Sequence, residues 1–142
     1  MATGIQVTFD CASVDRMATF WAVALGYVKQ PPPEGHDSWE AFATTVGIPE
    51  SEWDKMSALI DPDGAGPRLL FQKVPEGKTA KNRVHLDVNI SKGVPADQRH
   101  ETVQGHVRKL VDAGAKRVEI LDEHGDYWVV LRDVEGNEFC VQ

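Results

Sequence analysis

Cysteine is scarce in this chain: Cys11 and Cys140 are the only two among 142 residues. Two thiols are too few for a disulfide framework, and a reducing cytoplasm is the expected compartment. Long apolar runs are missing as well. No stretch approaches the roughly 20 residues that a spanning helix needs, and no charged-then-apolar leader pattern opens the sequence. Basic charge is in deficit, with 15 Lys and Arg against 22 Asp and Glu and a formal net charge of −7. That balance disfavours nucleic acid and anionic membrane as partners. A phosphate cradle is missing too. The lysine-rich stretch 75–82 lacks the glycine spacing and following helix such a loop requires, so it reads as a linker between two halves. What remains is one ordinary-sized domain with a substantial core, suited to a cationic or neutral small-molecule ligand.

The most informative stretch that is present runs from Arg83 to Ile90, RVHLDVNI. Val84, Leu86, Val88 and Ile90 share one phase and His85, Asp87 and Asn89 the other, the period of a half-buried strand. An imidazole, a carboxylate and a carboxamide in one row fit the wall of a cleft, against the plainer reading of a solvated strand face. The same pattern occurs at Ile5–Cys11, where Gln6, Thr8 and Asp10 form the polar row.

Each of these strands leads into a helix. Ser13 is placed to cap the first, with Asp15 in its opening turn. Val14, Met17, Phe20, Trp21, Ala24 and Leu25 form its apolar stripe, and Gly26 ends it. A strand is expected from Tyr27 to Lys29, stopped by Pro31, Pro32 and Pro33. Residues 35–55 read as a helical insertion whose Trp39 and Trp53 could close over a site. Strands are then expected at Met56–Ile60 and Arg68–Val74, around an Asp61-Pro62-Asp63-Gly64 turn. In the second half, Pro95 opens a helix with Val103, Val107, Leu110 and Val111 inward and Gly114 at its end. Strands follow at Arg117–Leu121, Tyr127–Arg132 and Glu138–Gln142. His36, His100, His106 and His124 all fall where exposure is expected.

Laid on each other, the halves put Gln6 on His85, Asp10 on Asn89, the DPDG turn on DVEG, and Leu70-Phe71-Gln72 on Cys140-Val141-Gln142. The architecture expected is α+β, two βαβββ repeats at roughly 4–74 and 83–142, whose curved mixed sheets surround a cleft.

With these pieces in order, the chain resembles the vicinal oxygen chelate superfamily, the glyoxalase, bleomycin-resistance and dioxygenase group. FDCASVDRMATFWAVALGY, KNRVHLDV and DVEGNEFCVQ are similar to its glyoxalase-like branch common in actinobacteria. In metal-using members, four strands each supply one ligand, usually His or Glu, to a divalent ion whose open positions are chelated by two neighbouring substrate oxygens. Those positions fall here on Gln6, Leu70, His85 and Cys140. Only His85 conforms: Gln6 is a weaker donor, Leu70 cannot ligate, and a Cys140 thiolate is mismatched to hard ions. No metal is therefore expected at this quartet. Two alternatives stay open, a zinc site on His85 and Cys140 with Gln6 and water, or replacement of the lost carboxylate by Asp10, Asp87 or Glu138.

The function expected is binding of a small organic molecule without the standard metal, as in the drug-sequestering bleomycin-resistance branch. Gln6, Thr8, Asp10, His85, Asp87 and Asn89 would line the cleft, with Trp128 and Gln142 near its rim. Asp10 and Asp87 would favour a cationic group. The competing reading is a lyase, isomerase or dioxygenase dependent on Zn, Mn, Fe or Ni. A homodimer is the candidate assembly.

Overall fold

The computed structural model describes residues 1–142. The chain forms two compact units, residues 1–22 with 26–77 and residues 23–25 with 78–142. The boundary at Gly77 and Lys78 falls inside the lysine-rich connection.

The first unit holds strands β1 (Val7–Cys11), β2 (Val28–Lys29), β3 (Met56–Ile60) and β4 (Leu69–Lys73) in the order β1-β4-β3-β2. Only β1 and β4 run parallel, with Thr8 opposite Leu70; the other pairs are antiparallel. Alternation sends Leu59, Leu69 and Phe71 into the core, all at most 1% exposed. Helix α1 (Val14–Leu25) starts where Ser13 Oγ accepts the Arg16 N–H, and stops at Gly26, whose φ of 69° is the left-handed conformation glycine tolerates. Its stripe is buried at Val14, Met17, Phe20, Trp21 and Ala24, all at 7% or less, while Leu25 at its end is only half-buried. Helix α2 (Trp39–Val46) and a 3-10 turn at Glu50–Glu52 occupy the insertion.

The second unit repeats the ladder. Strands β5 (Asp87–Val88), β6 (Lys116–Glu123), β7 (Asp126–Arg132) and β8 (Glu138–Val141) lie in the order β5-β8-β7-β6. Again the first and last strands are the parallel pair, and Asp87 stands opposite Cys140. Helix α3 (Arg99–Asp112) follows a 3-10 turn begun at Pro95. A β-bulge interrupts the β6–β7 register between Arg117 and Glu119.

The registers relate the units residue by residue. If Leu70 matches Cys140, their opposite partners match Thr8 to Asp87, which places Gln6 on His85. Across the sheet, Ala58 then matches Val130, and Gln30, whose N–H donates to Ala58 O at 3.0 Å, matches Glu119.

Several expectations need correction. The stretch Arg83–Ile90 joins the ladder only at Asp87 and Val88, and Val84 is 81% exposed. Its backbone stays aligned beyond those two residues, since Cys140 N–H donates to Leu86 O at 3.0 Å. Val111 is 40% exposed, because α3 turns only Val103, Val107 and Leu110 inward. His36 and His106 are half-buried; His36 packs edge-on against Phe42.

Candidate functional site

The face of the second sheet that carries Asp87, Trp128, Val130, Arg132, Glu138 and Cys140 lines a pocket of about 820 Å³. That size is ordinary for a small-molecule site. Residues 78–81 supply a further wall, and Val118 and Glu119 on β6 the far edge.

The 78–82 strap is held by Glu138. The Asn82 N–H donates to Glu138 Oε2 at 3.0 Å, and the Lys78 ammonium lies 3.0 Å from the same oxygen. Lys78 also donates to the Ala80 carbonyl. Arg132 Nε stands 4.0 Å from Glu138 Oε1. The Asn82 amide foremost, then Glu138's own backbone amide and the Lys78 contact, pull the Glu138 carboxyl down to about 2 while its burial works the other way. Its side chain is 11% exposed, so this anion is enclosed by its partners.

Beside it sits a trio. His85 Nδ1 lies 3.0 Å from Asp87 Oδ1, the spacing that two residues on one strand face allow. Asp87 is opposite Cys140 in the parallel ladder. One ligand-capable atom from each of the three lies within 4.8 Å of the others. Cys140 is 7% exposed, whereas the His85 and Asp87 side chains are 43% and 44% exposed. Burial pushes the Cys140 thiol up, and the neighbouring Asp87 carboxylate adds to it against a smaller opposing pull from Lys81.

Of the residues expected to bind ligand, the pocket brings together His85, Asp87 and Trp128. Asn89 and Gln142 do not line it. They hydrogen-bond to each other, Gln142 Nε2 donating to Asn89 Oδ1 at 2.8 Å. Gln6, Thr8 and Asp10 belong to the first unit and do not line it either. Thr8 and Asp10 are exposed, and Gln6 Oε1 accepts from Arg68 Nη1 at 2.9 Å. Glu138, weighed as a replacement ligand, is taken up by the strap instead. Trp39 and Trp53 spend their indole N–H groups on Gln30 O and Ile48 O within the first unit.

Sequence reading missed Lys78, Lys81, Glu119 and Arg132 as lining residues. Arg132 was legible, since it shares the phase of Trp128 and Val130. The strap carried no signal, because an aperiodic lysine run looks like any solvated connection.

The four positions equivalent to the family's metal ligands do not form a hard-ion site. Leu70 offers no donor, Gln6 Oε1 accepts from Arg68, and the Cys140 sulfur is a soft donor mismatched to a hard ion.

Two four-stranded mixed sheets with one repeated topology make this the glyoxalase/bleomycin-resistance fold. A hypothetical protein from S. aureus is 15% identical, with a TM-score of 0.61 over 99% of this chain and 96% of that one. A glyoxalase/bleomycin resistance protein/dioxygenase family enzyme from Burkholderia phytofirmans is 17% identical, with a TM-score of 0.60 over 96% and 94%. A mutant of the fosfomycin resistance protein FosX from Listeria monocytogenes, complexed with Mn(II) and 1S,2S-dihydroxypropylphosphonic acid, is 8% identical, with a TM-score of 0.65 over 100% and 90%. At such identities the likeness is one of fold. A search of curated proteins returns no match. The profile of the glyoxalase-like domain matches residues 6–142. This chain therefore belongs to the glyoxalase-like domain family, within the vicinal oxygen chelate superfamily. No helix is long and apolar enough to cross a membrane.

Proposed function

We propose that this protein binds a small organic molecule in the pocket of the second sheet, without the family's four-ligand divalent-metal centre. The observation that carries this reading is the pocket's make-up. About 820 Å³ is bounded by the apolar Val118, Trp128, Val130 and Phe139 and by a few charged groups that would fix orientation. Lys78 and Arg132 already have Glu138 beside them. Among the wall's carboxylates, the half-exposed Asp87 beside His85, together with Glu119, would favour a cationic group on the ligand. That make-up supports a drug-sequestering reading over that of a metal-dependent lyase, isomerase or dioxygenase.

The test is a fluorescence titration in the presence of a chelator, using cationic glycopeptide antibiotics and neutral diketones. Saturable quenching is expected for the cationic class, lost in Trp128→Phe and weakened roughly tenfold or more in Asp87→Asn. Failure of both classes to bind overturns the reading. Turnover of glutathione hemithioacetals that depends on added metal replaces it with the enzyme.

A further inference from the structure

We propose that His85, Asp87 and Cys140 form a three-donor site for one zinc-type ion, sharing His85 and Cys140 with the family-equivalent quartet and using Asp87 in place of Gln6 and Leu70. Asp87 is not a member of that quartet, and all three donors come from the second unit.

The geometry is local. His85 lies two residues before Asp87, just ahead of β5, and Cys140 is the register partner of Asp87. Their ligand atoms already lie within 4.8 Å of one another, with the His85–Asp87 pair at 3.0 Å. A tetrahedral ion with bonds of about 2.0–2.3 Å needs only small side-chain rotations to gather them. As the Zn–S bond forms, the Cys140 S–H bond breaks and its proton passes to solvent. Three protein ligands leave the fourth position open, and all three line the pocket.

Donor chemistry sets the selectivity. One imidazole nitrogen, one carboxylate oxygen and one thiolate suit zinc, and cobalt(II) as its spectroscopic substitute. Magnesium and manganese prefer all-oxygen or oxygen-rich shells. An independent observation comes from the other unit. The equivalent positions there are Gln6, Thr8 and Leu70, none a strong ligand, so the ladder itself does not require His, Asp and Cys at these points.

The experiment is titration of Co²⁺ into the reduced, chelator-treated full chain, followed by competition with Zn²⁺ and Mn²⁺. A thiolate-to-cobalt charge-transfer band saturating at one ion per chain is expected. Zinc should erase it and manganese should leave it. Cys140→Ser should lose the band, Cys11→Ser should keep it, and Asp87→Asn should weaken cobalt binding roughly 10–100-fold. Because Cys140 is buried, circular dichroism of Cys140→Ser checks its fold; the exposed Asp87 and His85→Gln variants carry the test if that protein is unfolded. No band in the wild type overturns the site, as does a band that survives Cys140→Ser or is insensitive to both Asp87→Asn and His85→Gln. These results are separable from the ligand reading, whose titration is made with metal removed.

Discussion

The two units share a scaffold and differ in what they place on it. At matched positions the first has Gln6, Thr8, Leu70, Gln30 and Arg68, and the second has His85, Asp87, Cys140, Glu119 and Glu138. In the first unit Arg68 bridges the row, donating to Gln30 Oε1 at 2.7 Å and to Gln6 Oε1 at 2.9 Å. One cation there ties the two glutamines together across the sheet. In the second unit an anion takes the place of that cation. Glu138 turns to the strap rather than across the sheet, which leaves His85 and Glu119 on the pocket wall. Exchanging one central charge for its opposite thus separates a self-satisfied face from one with donors to spare. Conserving a ladder does not conserve its chemistry.

The first way to break this comparison is through the cores, where the units should behave alike. Phe71 and Phe139, 0% and 1% exposed, sit on strands that play the same part in each sheet. Each Phe→Ala change should cost about 3–5 kcal/mol of stability, read by chemical denaturation. A loss under about 1 kcal/mol in one unit only would show that its core collapses around the gap and that the scaffolds are not equivalent.

A smaller effect should sharpen the comparison at the turns. Asp61 accepts the N–H groups of Asp63, Ala65 and Gly66, at 2.9, 3.0 and 2.7 Å. Asp133, only 3% exposed, accepts those of Glu135 and Asn137 and also the Asn137 carboxamide. Asp133→Ala should cost about 2–3 kcal/mol, because buried donors lose their acceptor. Asp61→Ala should cost less, since water can replace the carboxylate. Equal losses in thermal denaturation would contradict the burial difference.

The smallest effect is a pH dependence confined to the first turn. The amides of Asp63 and Gly66, followed by that of Ala65, hold the Asp61 carboxyl below its ordinary value of 3.8, against a weaker effect of burial. A depressed folded value means that the unfolded chain takes up the proton first. The contribution is complete above the ordinary aspartate range and is lost as pH falls below about 3.8. Asp61→Asn should therefore be less stable than wild type at neutral pH, with the gap narrowing in acid. A gap that stays constant down to pH 2 would remove the amide explanation.

How much of this was legible varies with the kind of signal. The strand Met56–Ile60 follows from period and the structure has it, and both sheets show the same strand order with a parallel outer pair. His85, Asp87 and Trp128 were readable as wall residues because phase assigns a face. Phase does not assign a height along the strand, so Asn89 and Gln142 shared the face yet ended beside each other. Nor does it report pairing: Val84 has the apolar phase but lies outside the two-residue β5 ladder, and remains in water. The strap was illegible for a different reason. Its position depends on Glu138, a partner more than fifty residues away in sequence, through one amide and one ammonium.

The parallel pairing of β1 with β4, and of β5 with β8, has a consequence for how the protein is made. Each sheet's opening strand must wait for its closing strand before it gains a neighbour. During synthesis, β5 emerges with its edge bare until residues 138–141 have left the ribosome, while α3 and the β6–β7 hairpin can already form from local contacts. The pocket wall that joins Asp87 to Cys140 is therefore among the last parts to exist. A nascent chain arrested before Glu138 would hold the hairpin and the helix but neither the site nor the strap's anchor.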